Sequence, residues 1–179
     1  MSARVILTYD DYAALPEDGR RSELYEGELI VTPAPRPRHQ AVIGNLHLLM
    51  AEHVRQRGLG EVFLSPIDVI LSRITVLQPD RVYLDTARLG IVTERAIEGA
   101  PTLAVLSAST GHRDRGAKQA LYARHGVPYY WIADPDARTV QALRLGGESY
   151  ESVARLEETT PAALPPLPGL TLDPAAVWR

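Results

Sequence analysis

The chain of 179 residues is poor in lysine: of its 19 basic residues, Lys118 alone is not an arginine. A sequence that uses arginine wherever a general positive charge is wanted leaves its one lysine as a candidate for work a guanidinium cannot do. An ammonium is a compact point charge with three rotatable donors, and its pKa moves readily on burial. The plainer reading is an exposed helical lysine paired with Asp114 at i,i+4 spacing. Cysteine is absent, which excludes disulfides, cysteine-ligated zinc and a thiol nucleophile. A basic excess is also missing. The net charge is −3, so no overall field gathers nucleic acid, although a local basic groove is compatible with so many arginines. No apolar run is long enough to span a membrane, and the first twelve residues lack the apolar core of a signal peptide. A cytoplasmic protein without membrane contact is expected. The composition, 45% apolar and 23% charged, is that of an ordinary globular protein, and the length fits one domain over residues 1–179 with a sizeable core.

The local pattern alternates helices and strands. Thr8–Leu15 reads as a short helix, with Thr8 and Asp11 placed for a capping box and Pro16 after its end. Ser22–Glu26 and Glu28–Thr32 are extended runs about Gly27, followed by the proline-punctuated loop Pro33–Pro37. Apolar residues at helical spacing predict a helix over Arg38–Arg57, stopped by Gly58 and Gly60. Glu61–Leu64, Asp68–Leu71, Arg81–Leu84 and Leu103–Leu106 are strand-like. Arg115–His125 predicts a helix closed by Gly126 and Pro128, and Tyr129–Ala133 a strand. Thr139–Leu145 and Tyr150–Leu156 form an expected hairpin about Gly146-Gly147. A proline-rich crossing over Pro161–Pro168 leads to a short helix near Pro174–Trp178. The expectation is an α/β (α+β) fold with helices against a sheet.

Three polar positions interrupt these apolar surroundings. Asp80 follows Pro79 at the mouth of a strand, where the proline fixes the backbone and the carboxylate is aimed off the strand end; a turn aspartate is the simpler alternative. Glu23 and Glu26 stand at odd separation on one extended run, so at most one of them joins a shared site, and a solvated edge explains both equally simply. Lys118 shares a helix side with Arg115, Tyr122 and His125, while Ala117, Ala120 and Leu121 lie towards another side suited to packing on the sheet. His39 is placed at the start of its helix, either reaching a site or exposed. His47, His53 and His112 read as surface residues, and His47 and His53 make no zinc pair at their spacing. Ser107 and Ser109 with His112 lack the Gly-x-Ser-x-Gly elbow of a hydrolase.

The order of segments resembles a bacterial restriction endonuclease-like family of the PD-(D/E)XK nuclease superfamily. The matching pieces are Glu23-Leu24-Tyr25-Glu26-Gly27-Glu28-Leu29, His39 opening a helix, Pro79-Asp80, Gly99-Ala100-Pro101, Ser107-Ala108-Ser109-Thr110, Asp114 through Lys118 to Tyr122, and the stretch Gly126-Val127-Pro128-Tyr129-Tyr130-Trp131-Ile132-Ala133-Asp134-Pro135. The resemblance implies a restriction endonuclease-like mixed central sheet flanked by helices, with a phosphodiesterase site at one sheet end that uses magnesium or manganese. It implies nucleic acid as partner, DNA before RNA, and a homodimer. Asp80 matches the family's first metal-binding aspartate, and Lys118 matches a lysine on the helix after the core strand. Magnesium wants hard oxygen ligands, polarises a phosphate and helps make hydroxide from bound water; a lysine beside it steadies the developing charge.

The chain departs from that pattern where the family carries a strand glutamate, the second metal ligand. Thr102-Leu103-Ala104-Val105-Leu106-Ser107 is two residues shorter than the family segment and contains no acid. Loss of two residues keeps the inside–outside alternation of a strand, so folding survives, but it shifts the strand end by about 6.6 Å. Two readings stay open. One is a metal-dependent endonuclease whose second carboxylate comes from elsewhere, with Glu23 leading and Asp68 and Asp85 behind it. The other is a nuclease-fold protein that binds without cutting.

Overall fold

The described strands form three sheets, of six, four and two strands. The computed structural model describes residues 5–16, 18–108 and 112–179, with only the backbone for 112–115. After the short helix α1 (Tyr9–Ala13), capped by Thr8 and Asp11 as the sequence predicts, come β1 (Arg21–Tyr25) and β2 (Glu28–Thr32). Glu26 and Gly27 turn this hairpin with positive φ angles of 48° and 84°, a conformation that glycine adopts without steric cost. Helix α2 (Pro37–Arg57) begins on Pro37, whose fixed φ suits a first helical position, and ends at Gly58 in the left-handed conformation. Then follow β3 (Gly60–Leu64), β4 (Val69–Ser72), β5 (Thr75–Leu77), β6 (Arg81–Asp85) and β7 (Leu103–Ser107). Helix α3 (His112–Arg124) leads to β8 (Tyr129–Asp134), β9 (Thr139–Gly146) and β10 (Ser149–Leu156), and β11 (Ala162–Ala163), β12 (Thr171–Leu172) and α4 (Pro174–Val177) close the chain.

The larger sheet has six strands in the order β10-β9-β8-β7-β6-β3. Its neighbours are antiparallel except β7 and β8, which run parallel and are joined through α3, the crossover that a parallel pair requires. The smaller sheet, β2-β1-β5-β4, is antiparallel throughout. This is the α+β arrangement expected, a mixed central sheet flanked by helices. The strand β5 escaped the sequence pattern: its three residues are all buried and show no alternation.

Period-two alternation sorts the large sheet into two faces. Tyr83, Leu103, Val105, Trp131 and Ala133 point to α2 and the C-terminal segment, where Val42, Ile43, Leu46, Met50 and Val54 meet them. Ala104, Leu106 and Tyr130 point the other way, to Leu121 and Tyr122 of α3 and Leu77 of β5. The indole Nε1 of Trp131 donates to Pro165 O at 2.7 Å, tying the C-terminal segment to the first face. Among the described residues no helix is long and apolar enough to cross a membrane.

The two faces predict a sharp contrast on one helix. Leu46 is fully buried on α2 and Leu48 is 62% exposed two residues on. Leu46→Ala is expected to cost about 2–5 kcal/mol and Leu48→Ala less than about 0.5 kcal/mol, as measured by urea unfolding.

Candidate active site

The smaller sheet and α3 lie over the same face of the large sheet, and their polar residues meet where the strands end. β1 is an inner strand of its sheet, between β2 and β5, so Glu23 has no route to water: it is 1% exposed. Its Oε2 sits 2.7 Å from Lys118 Nζ and also accepts from the Tyr25 hydroxyl at 3.3 Å. Its Oε1 accepts the backbone N–H of Gln78 at 2.5 Å. A buried charge persists only when paired and hydrogen-bonded, and Glu23 and Lys118 meet that requirement in each other.

Helix α3 is rotated from the orientation expected. Lys118, Leu121 and Tyr122 face inward, while Ala117 and Ala120 are exposed. The small alanines suggested a packing face, but the ion pair with Glu23 brings the lysine inside instead. The suggested pairing of Lys118 with Asp114 lies outside the described residues, as do Ser109 and the side chains of His112 and Arg115. Glu26 points elsewhere, to Arg124 at the end of α3, so only one of the two acids joins the site.

Asp80 is held in place by the sheet ladder although it precedes β6. Its N–H donates to Val105 O at 3.0 Å, and its carbonyl accepts from Ser65 N at 3.1 Å. Its carboxylate is also occupied. Oδ2 accepts the N–H of Ser107 at 2.8 Å, and Oδ1 lies 3.5 Å from Nε2 of His39, a buried residue on the first turn of α2. Burial by itself raises the Asp80 pKa; the hydrogen bond and charge of His39, the Ser107 N–H and the Arg21 charge together outweigh burial and hold the carboxyl below its usual value. His39 Nδ1 in turn meets Ser107 Oγ.

A cavity of about 220 Å³ opens at this point, lined by Asp80, Lys118, His39, Ser107, Arg21 and Arg36 among others. Asp80 and Lys118, far apart in sequence, thus line one cavity. Gln78 braces it: its side chain accepts from Arg21 Nε at 3.3 Å and donates to Asp68 at 2.8 Å. The sequence reading did not single out Arg21, Arg36, Gln78 or Leu106. Arg21 and Arg36 flank the extended run and the proline loop that form the rim, and no local pattern separates them from the other arginines.

The donor set does not fit a two-carboxylate magnesium site. The ladder of β6 and β7 ends at Arg81 and Val105, and the cavity beyond it is lined by Leu106 and Ser107 as well as Asp80. Asp80 is the one carboxylate among the described residues that line it. Thr102 is at the far end of the strand, bonded to Asp85 at 2.9 Å. Asp68 is engaged by Tyr12 and Gln78, at 3.0 and 2.8 Å. Among the described residues no group of three or more acids and histidines stands ready to hold a metal.

A mixed central sheet flanked by helices is the restriction endonuclease-like fold. The family model of Uma2, described as "Putative restriction endonuclease", matches residues 9–175, and the chain belongs to that family. The fold is similar to that of a putative nuclease belonging to DUF820 from Anabaena variabilis, known from its crystal structure, with 21% identity and a TM-score of 0.79 over 96% of this chain and 97% of that one. No curated protein matches the sequence.

The ion pair makes Lys118 a structural residue as well as a site residue. Lys118→Met strands a buried carboxylate and is expected to cost about 3–5 kcal/mol. Adding Glu23→Leu to it is expected to recover most of the loss, because the stranded charge goes with it. Denaturant unfolding of the two single variants and the double variant checks this; additive losses would show that the pair is not coupled.

Proposed function

We propose that this chain binds nucleic acid, DNA before RNA, in the cavity shared by Asp80 and Lys118, and that magnesium- or manganese-dependent cleavage there is impaired. Arg21 and Arg36 line the cavity with one carboxylate, Asp80, while Lys118 is matched by Glu23, and the net positive balance suits a phosphate. The family, described by its restriction endonuclease character, supports DNA as the ligand. The observation that carries the impairment is that Asp80 is the one carboxylate among the described residues of the cavity lining. In this reading Asp80 and Lys118 remain the family's site residues, and Glu23 serves as the counter-ion of Lys118 rather than as a metal ligand. A cytoplasmic homodimer is the working form we infer with it, on the family resemblance alone.

Three measurements test the reading. A fluorescent DNA duplex is expected to bind with an affinity that falls with salt, and Arg36→Ala to weaken binding and flatten the plot of log affinity against log salt by about one unit. Cleavage in manganese is expected to be no greater than in EDTA. Leu106→Glu, which adds a second carboxylate to the cavity lining, is expected to gain manganese binding by calorimetry. Strong manganese-dependent cleavage by the unmodified chain, abolished by Asp80→Ala, would show the metal site to be intact.

A further inference from the structure

Arg81, the first residue of β6, is 8% exposed, yet among the described residues no carboxylate pairs with its guanidinium. Its one hydrogen bond runs from Nη1 to the carbonyl of Asp80. Burial lowers its pKa, and the Asp80 charge raises it by less, so the positive charge is only partly balanced. Its Nε is buried without an acceptor among the described residues, and so are two polar atoms near it, Ser65 Oγ and His47 Nδ1. The three belong to one place. Ser65 N donates to the same Asp80 carbonyl that Arg81 bonds, and burial and then the Arg81 charge lower the pKa of His47 on α2.

A buried charge persists at low cost only when it is paired and hydrogen-bonded. A water molecule would meet the hydrogen-bonding need of this cluster but not its charge; an anion meets both. The bond from Nη1 leaves the Nε–Nη2 edge of the guanidinium, two parallel N–H groups that fit two oxygens of one oxyanion. The Ser65 hydroxyl, and His47 with its hydrogen on Nδ1, add donors beside it. We propose that Arg81, Ser65 and His47 form a second phosphate subsite, outside the lining of the cavity that holds Asp80 and Lys118.

The subsite lies close to the surface. Arg81 is opposite Leu64 in the ladder of β6 and β3, and directly opposite residues share a sheet face. β3 is the edge strand, and Leu64 is 51% exposed. One movable side chain therefore stands beside the guanidinium on the solvent side, and exposed side chains change rotamer within nanoseconds. The place of the subsite also names its ligand. It is built on the carbonyl of Asp80, whose carboxylate lines the cavity, so two phosphates of one nucleic acid strand reach the two sites together. That source of the phosphate rests on the nucleic-acid reading above; the oxyanion chemistry of the subsite does not.

Nuclear magnetic resonance of the full chain, labelled with nitrogen-15, tests the proposal through the Nε–H signals of its arginines. The Arg81 signal is the one missing from Arg81→Lys, whose thermal midpoint reports that it is folded. Sodium phosphate is titrated against sodium chloride of equal ionic strength, and a short DNA duplex is titrated separately. The Arg81 signal is expected to move with phosphate and with the duplex, and not with chloride. Arg81→Lys keeps a charge but loses the two-pronged edge, and is expected to weaken duplex binding roughly ten-fold or more. An Arg81 signal unmoved by both phosphate and duplex, or moved as far by chloride as by phosphate, would overturn the proposal; duplex binding in that case leaves the reading of the Asp80 cavity standing. Movement with phosphate but not with a bound duplex supports the subsite and removes nucleic acid as its source. Movement with phosphate in a chain that binds no duplex supports the subsite and removes the nucleic-acid reading.

Discussion

The buried pair of Glu23 and Lys118 is the constraint on which the site depends. It joins an inner strand of the small sheet to the helix that covers the large one, at 2.7 Å and almost without water. Neither charge tolerates that environment alone, since an unpaired buried ion costs several kcal/mol. The pair therefore fixes how α3 is rotated, and with it the placement of Tyr122 against the sheet. It also keeps a positive charge at the wall of the cavity without leaving it free to wander. The extra bonds to Glu23, from the Gln78 N–H and the Tyr25 hydroxyl, extend the constraint into the segment that carries Asp80.

Most of the fold is legible in the sequence because its elements carry strong local signals. Helix α2 has both a helical apolar period and a glycine stop, and β9 and β10 have a glycine turn between them. β5 has neither, being short and buried on every residue, so tertiary pairing defines it. The site is legible in a different way. Asp80, Glu23 and Lys118 were named because they are polar where apolar residues were expected, and because they match a family order. Their grouping is implied by the family order, which sets Asp80 and Lys118 at one sheet end; periodicity does not show that α3 turns an apparently polar side inward, which only the partner on β1 explains. His39 stood between exposure and a site role on sequence; the contact with Ser107 and Asp80 depends on α2 ending its first turn at the mouth of the large sheet, which no periodicity encodes.

Strand β7 meets two demands at once. Leu103 and Val105 face one side of a buried sheet and Ala104 and Leu106 the other, while its two edges pair with β6 and β8. Alternation alone satisfies both. Which residues reach the cavity depends instead on where the strand ends, and Leu106 and Ser107 are the ones that line it. Stability and chemistry are thus set by different properties of one strand, its parity and the position of its end.

The rim of the cavity is made in part by Pro33, Ala34, Pro35 and Arg36, with Pro37 opening the helix behind them. Proline fixes φ and restricts the residue before it, so this rim has few shapes to choose among before anything binds. A mobile rim would have to be ordered by its ligand, at about 1–2 kcal/mol for each backbone residue immobilised. Here most of that ordering is already done when the chain folds. The consequence is selectivity by shape: a rim that does not adapt favours ligands of one width and rejects bulkier ones, whatever their charge.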